Sequence, residues 1–128
     1  MKTQVEVKDL KEGKYVLVDD APCSIKSISK SKPGKHGSAK ARIDVIGIFD
    51  KQKRSIVSPV SDKIYVPIVE RKSAQVLSLS GGVAQLMDMA DFTTFEMKVP
   101  EEYKDRVVEG QEVQYLTAMG NIKFDFRN

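Results

Sequence analysis

The sequence predicts a protein built almost entirely of β-strands and divided into two domains. Short runs rich in Val, Ile and Tyr alternate roughly with polar residues, the period of two that suits half-buried strands. Asp, Pro, Gly and Ser punctuate these runs as turn formers. Near residue 70 the stretch PIVERK ends one strand series and a second begins, with a single helix-like break inside it.

The first series reads as strands near residues 14–18, 22–31, 39–49, 54–58 and 62–67. The two flanking residues 32–38 are the longest pair, and the connection between them is polar and glycine-rich, so they are predicted to form an antiparallel hairpin. The second series consists of AQVLSLSG, GVAQLMDM, FTTFEMKV, EVQYLTA and IKFDFR. Between its third and fourth strands lies PEEYKDRVVEG, where Pro100, Glu101 and Glu102 suit a helix start and Gly110 a helix end. Five strands with a helix between the third and fourth is the order of an oligonucleotide-binding (OB) barrel. The domains are therefore placed at residues 1–69 and 70–128, joined without a Gly/Ser linker, and no sequence repeat relates them.

Composition narrows the class. Of 128 residues 41% are hydrophobic and 30% charged, as in a soluble globular protein. The longest apolar runs resemble Tyr15–Val18, whereas a bilayer span takes about 20 such residues, so no membrane helix is expected. The opening MKTQVEVKDLKEGK lacks the apolar centre of a signal peptide, which predicts a cytoplasmic protein. One cysteine, Cys23, excludes an internal disulfide, and with His36 as the single histidine no zinc-ligand set is expected. Cys23 follows a proline in a strand-like stretch and reads as a small buried side chain rather than a nucleophile.

The charge is unevenly placed. Residues 21–43 contain Lys26, Lys30, Lys32, Lys35, Lys40 and Arg42 and no acid, leaving 15 basic against 18 acidic residues elsewhere. A focused patch of this kind suits a polyanion such as RNA. Residues 71–128 hold seven basic and nine acidic residues, so the second barrel alone is expected to bind RNA weakly. Its aromatics Phe92, Phe95, Tyr103, Tyr115, Phe124 and Phe126 read mainly as core, with base stacking the competing use.

The loop Ser31-Lys32-Pro33-Gly34-Lys35-His36-Gly37-Ser38-Ala39-Lys40 is the candidate site. Pro33-Gly34 favours a type II turn that thrusts Lys35 outward, and Gly37 removes bulk beside that lysine. A phosphate-cradling P-loop needs a different glycine spacing before its lysine, and the string does not match it. A general-base or Schiff-base role for Lys35 would cost about 4–5 kcal/mol of deprotonation at neutral pH, and the exposed tip offers no dry pocket to reduce it. His36 lacks an orienting partner and reads as a hydrogen-bonding or stacking group. No catalytic residue and no enzyme activity are predicted. The predicted RNA-contacting set is Lys32, Gly34, Lys35, His36, Gly37, Lys40 and Arg42.

DLKEGKYVLVDDAPC, SKPGKHGSAKAR, DVIGIFDKQKR and the LMDM…F segment together resemble the translation initiation factor 5A family over essentially the whole chain. Pro33 and Ser38, where eukaryotic members carry threonine and histidine, mark the archaeal form. The resemblance implies an N-terminal SH3-like β-barrel, a C-terminal OB-fold barrel, and conversion of Lys35 to deoxyhypusine or hypusine. A separate enzyme, deoxyhypusine synthase, would transfer an aminobutyl group from spermidine using NAD, so the protein itself needs no cofactor. It further implies that the modified side chain enters the peptidyl-transferase centre of the ribosome, among large-subunit rRNA, and steadies peptidyl-tRNA at stalls such as consecutive prolines and at termination. The competing reading from the residues is a general single-strand RNA-binding OB module.

Overall fold

A computed structural model of the chain describes residues 2–31 and 39–126. It divides into two compact units, Met1–Val69 and Glu70–Asn128. The first, SH3-like unit combines a two-stranded and a four-stranded antiparallel sheet. Strand β1 (Lys2–Glu6) pairs with β6 (Lys63–Pro67), and β2 (Tyr15–Val18), β3 (Ala21–Ser31), β4 (Lys40–Gly47) and β5 (Lys53–Pro59) lie in sequential order. A 3-10 turn at Val7–Asp9 follows β1 and buries Val7.

Alternation makes these strands. In β4, Ala41, Ile43 and Val45 are buried to 0–1% exposure while Lys40 and Arg42 face solvent. Val7, Leu10, Val16, Val18, Cys23 and Ile25 complete that core. Each fully buried aliphatic side chain contributes about 1.5–3 kcal/mol relative to exposure.

The second unit is one curled five-stranded sheet in the order β11-β10-β7-β8-β9, the half-barrel of an OB fold. Its strands are β7 (Glu70–Ser80), β8 (Val83–Asp88), β9 (Thr94–Lys98), β10 (Glu112–Ala118) and β11 (Asn121–Phe124). Val76, Leu86, Met97, Val107, Val113 and Phe124 fill its separate core. Two-residue loops close three hairpins, Asp19-Asp20, Gly81-Gly82 and Met119-Gly120, and every one of these residues has positive φ. That geometry matches the right-handed twist of paired strands.

Two elements differ from the sequence expectation. The helix expected over PEEYKDRVVEG is a single 3-10 turn, Glu101–Tyr103, without a side-chain cap. Tyr103, Val107 and Val108 lose side-chain freedom in a helix, and so short a segment cannot nucleate one unaided. The structure instead uses Val107 as a core residue, 2% exposed. Strand β1 lies in a charged segment with little alternation, and its partner β6 is about 60 residues away, so pairing rather than local pattern creates it.

Candidate functional site

The candidate site is carried by the β3–β4 hairpin. Its last cross-strand pairs are Ser29↔Arg42, Lys30↔Ala41 and Ser31↔Lys40, so the connecting residues begin directly above this rung. Lys32, Gly34, Lys35, His36 and Gly37, with the turn expected at Pro33-Gly34, lie outside the described residues. Lys40 and Arg42 are described, and both are exposed on the same face of β4. Lys26 and Lys30 on β3 are exposed as well. The backbone amide of Val60 donates to the Ala39 carbonyl at 3.0 Å, tying the returning arm to the end of β5.

Asp44, which the sequence reading did not select, organises the outer face of the hairpin. Register aligns Ser27, Asp44 and Ser55 across β3, β4 and β5. The Ser27 hydroxyl donates to Asp44 Oδ2 at 2.9 Å, the Ser55 hydroxyl to Oδ1 at 2.5 Å, and Arg42 Nε to Oδ1 at 3.4 Å. The Ser55 bond first, then that of Ser27, with Arg42 assisting, holds the Asp44 carboxyl below its ordinary range. The row sits beside a β-bulge between Ile25 and Ser27, where β3 changes register against β4. Bulges bend and twist a strand, so this irregularity influences the direction of the arms. Glu12 accepts from the Ile28 amide at 3.4 Å on the other side of β3.

At the opposite end of the sheet, Arg54 grips Asp50 through two bonds of 3.3 and 2.8 Å and lies 3.8 Å from the Cys23 sulfur. A Cβ at Gly47 would stand 1.8 Å from Asp50 Oδ1, so glycine permits that clasp. Cys23 is 0% exposed, and burial pushes its thiol above the ordinary range despite Arg54, which disfavours the nucleophilic thiolate. No group of three or more His, Cys, Asp or Glu among the described residues is placed to hold a metal ion. No helix among them is long and apolar enough to cross a membrane.

The OB unit presents a different surface. OB folds bind nucleic acid on the face of their second and third strands. Here that face comprises β8 and β9, whose paired Gln85↔Glu96 and Val83↔Lys98 bring neither aromatic rings nor a cationic stripe. The rings pack elsewhere: Phe95 against Tyr115 at 5.0 Å, Tyr103 against Phe126 at 4.7 Å and Phe124 against Phe126 at 5.8 Å. Phe92 is the exception, with 66% of its surface exposed.

An SH3-like unit bearing a cation-rich hairpin, followed by an OB-fold unit, defines the two-domain architecture of a translation factor. Residues 2–62 match the family described as translation initiation factor 5A-like, N-terminal, and residues 68–124 match eukaryotic elongation factor 5A hypusine, DNA-binding OB fold. The chain belongs to the translation initiation factor 5A family. It is 70% identical over 127 residues to translation initiation factor 5A of Methanosarcina acetivorans, covering 99% of each chain. Against that of Methanococcoides burtonii the identity is 72%, covering 99% of this chain and all of the other. Its structure is similar to eukaryotic translation initiation factor 5A from Methanococcus jannaschii, with TM-score 0.88, 46% identity, and coverage of 97% of this chain and 92% of that one. A family protein from Naegleria fowleri gives TM-score 0.80 at 33% identity, covering 98% and 96%.

Proposed function

We propose that this translation factor binds the ribosome in the cytoplasm and acts through a modified Lys35. The deoxyhypusine or hypusine arm enters the peptidyl-transferase centre and steadies peptidyl-tRNA, which promotes bond formation at stalls such as consecutive prolines and assists termination. Lys32, Gly34, His36, Gly37, Lys40 and Arg42 form the rest of the RNA-contacting loop and arms. Catalysis stays with the ribosome, and the factor supplies orientation.

The observation that carries the reading is the acid-free sequence of residues 21–43, whose six cations include Lys26 and Lys30 exposed on β3 and Lys40 and Arg42 exposed on β4. The nearest carboxylate on β4, Asp44, is already satisfied by Ser27, Ser55 and Arg42. A cationic hairpin of this type suits passage between RNA phosphates. Extending a lysine by an aminobutyl group adds reach, a second positive charge and further donors. Deoxyhypusine synthase, drawing on spermidine and NAD, makes that addition; the cofactor stays with the synthase. The polar β8–β9 face weighs against the OB unit acting alone as a general single-strand RNA binder.

Intact-mass measurement on protein from its native cell tests the proposal. The expected result is one added aminobutyl group that maps to Lys35, and an unmodified lysine would overturn the mechanism. Lys35→Arg preserves charge and blocks the modification, so it is expected to fold normally and fail to relieve polyproline stalls in a reconstituted translation assay.

A further inference from the structure

Phe92 closes the turn between β8 and β9 with a backbone φ of +62°. In that left-handed region a bulky side chain is an outlier, because its Cβ crowds the following carbonyl. The turn is tightly wired. The Asp88 amide donates to the Thr93 carbonyl at 2.8 Å, and the Phe92 amide donates to the Asp88 carbonyl at 2.9 Å. Asp88 Oδ1 accepts the amides of Ala90 and Asp91 at 2.8 and 3.2 Å, and Asp91 Oδ1 accepts the amide and hydroxyl of Thr93 at 3.0 and 2.7 Å.

The ring gains little from this placement within the fold. It is 66% exposed, beside Met89 at 41%, and it stacks on none of the other described aromatics. Glycine would relieve the strain and remove apolar surface from water. Neither stability nor solubility therefore accounts for phenylalanine here, whereas an aromatic held rigidly in solvent suits insertion into a partner.

Charge decides the kind of partner. The adjoining cleft, about 460 Å³, is lined by Met89, Asp91, Arg71, Lys72, Ser73 and Glu112, among others. Arg71 is ion-paired with Asp125 at 3.0 Å, and the charged groups lining the cleft are Arg71 and Lys72 against Asp88, Asp91 and Glu112. A nucleic-acid strand docked at this turn would set its phosphates beside a cleft lined by more carboxylates than cations, in a domain with more acidic than basic residues. We infer that Phe92 and Met89 form a docking tip for a basic protein surface with an apolar pocket. The inference rests on the translational reading above, in which the ribosome supplies that surface.

The test measures binding of the full chain to purified archaeal ribosomes and, in parallel, to protein-free rRNA extracted from them. Phe92→Gly is expected to weaken ribosome binding about tenfold or more, the loss typical of a buried aromatic anchor, while rRNA binding is unchanged. Its melting temperature is expected to be unchanged or raised, and Phe92→Asn, which tolerates the same backbone but lacks the ring, is expected to show the same loss. Ribosome binding by both variants equal to that of the original chain would overturn the inference. An equal loss on protein-free rRNA would overturn it in favour of base stacking, and a dimer that only the ring-bearing chain forms would overturn it in favour of self-association. Failure of the original chain to bind ribosomes would instead overturn the translational reading, and this inference with it.

Discussion

Asp88 is 2% exposed, yet its carboxylate accepts the amides of Ala90 and Asp91 and the Tyr115 hydroxyl. The Tyr115 bond chiefly, then the Ala90 amide, holds the Asp88 carboxyl below its ordinary value. Tyr115 is pushed well above its own, first by burial and then by the Asp88 bond. The two shifts act at opposite ends of the pH scale. Asp88 contributes stability above the ordinary carboxylate range, and that contribution disappears as pH falls through its lowered folded value. Tyr115 contributes fully below its ordinary value of 10.0 and loses that contribution as pH rises toward its raised one. The OB unit is therefore expected to weaken below about pH 4 and above about pH 10. Tyr115→Phe is expected to abolish the alkaline loss and to cost roughly 1.5–3 kcal/mol near neutrality, because a bond to a charged acceptor is removed. Thermal melts of the two proteins across pH check both effects, and identical alkaline behaviour would remove Tyr115 from the explanation.

Among the elements, the β3–β4 hairpin joins a bulge, a cross-strand Ser27–Asp44–Ser55 row and exposed cations at Lys26, Lys30, Lys40 and Arg42. Asp44 ties the three strands just below the arms, so its loss is expected to loosen the arms without dissolving the core. In Asp44→Ala, amide exchange should accelerate at Ser29–Ser31 and Lys40–Arg42, while Ile25 and Val45, which pair below the row, keep their protection. Uniform acceleration across both sets would instead mark Asp44 as a general stabiliser of the unit. Local pattern made most of this element legible: Val/Ile alternation identified both arms, and glycines within a lysine-rich string identified the connection between them. The row was not legible, because Asp44 meets Ser27 and Ser55 only after a bulge has set the register. The same reasoning separates β10, whose EVQYLTA alternation names Glu112–Ala118 directly, from β1, which depends on a distant partner. The exposure of Phe92 was hidden for a related reason, since alternation assigns aromatics to faces but does not reveal a positive φ at a turn.

At the scale of the whole molecule, charge divides with the fold. Met1–Val69 holds 14 of the 21 basic residues and 8 of the 18 acidic ones, leaving the OB unit with a net negative balance. Each unit also has its own core, so each can be prepared and measured separately. Electrostatic attraction to RNA scales with the phosphates that cations neutralise, and each one steepens the fall of log affinity with log salt by about 0.7 for single strands. The first unit is accordingly expected to reproduce most of the salt slope of the full chain on protein-free rRNA, and the OB unit to contribute a slope near zero. Charge reversal at Lys40 and Arg42, exposed on one face of β4, should reduce the slope of the full chain by about 1.4 if each contacts one phosphate. Circular dichroism separates this from a loss of folding, which would change the spectrum of the variant, whereas lost phosphate contacts leave it unchanged. A dominant, salt-sensitive affinity in the OB unit would transfer the RNA-binding role to that barrel and make the hairpin a secondary contact.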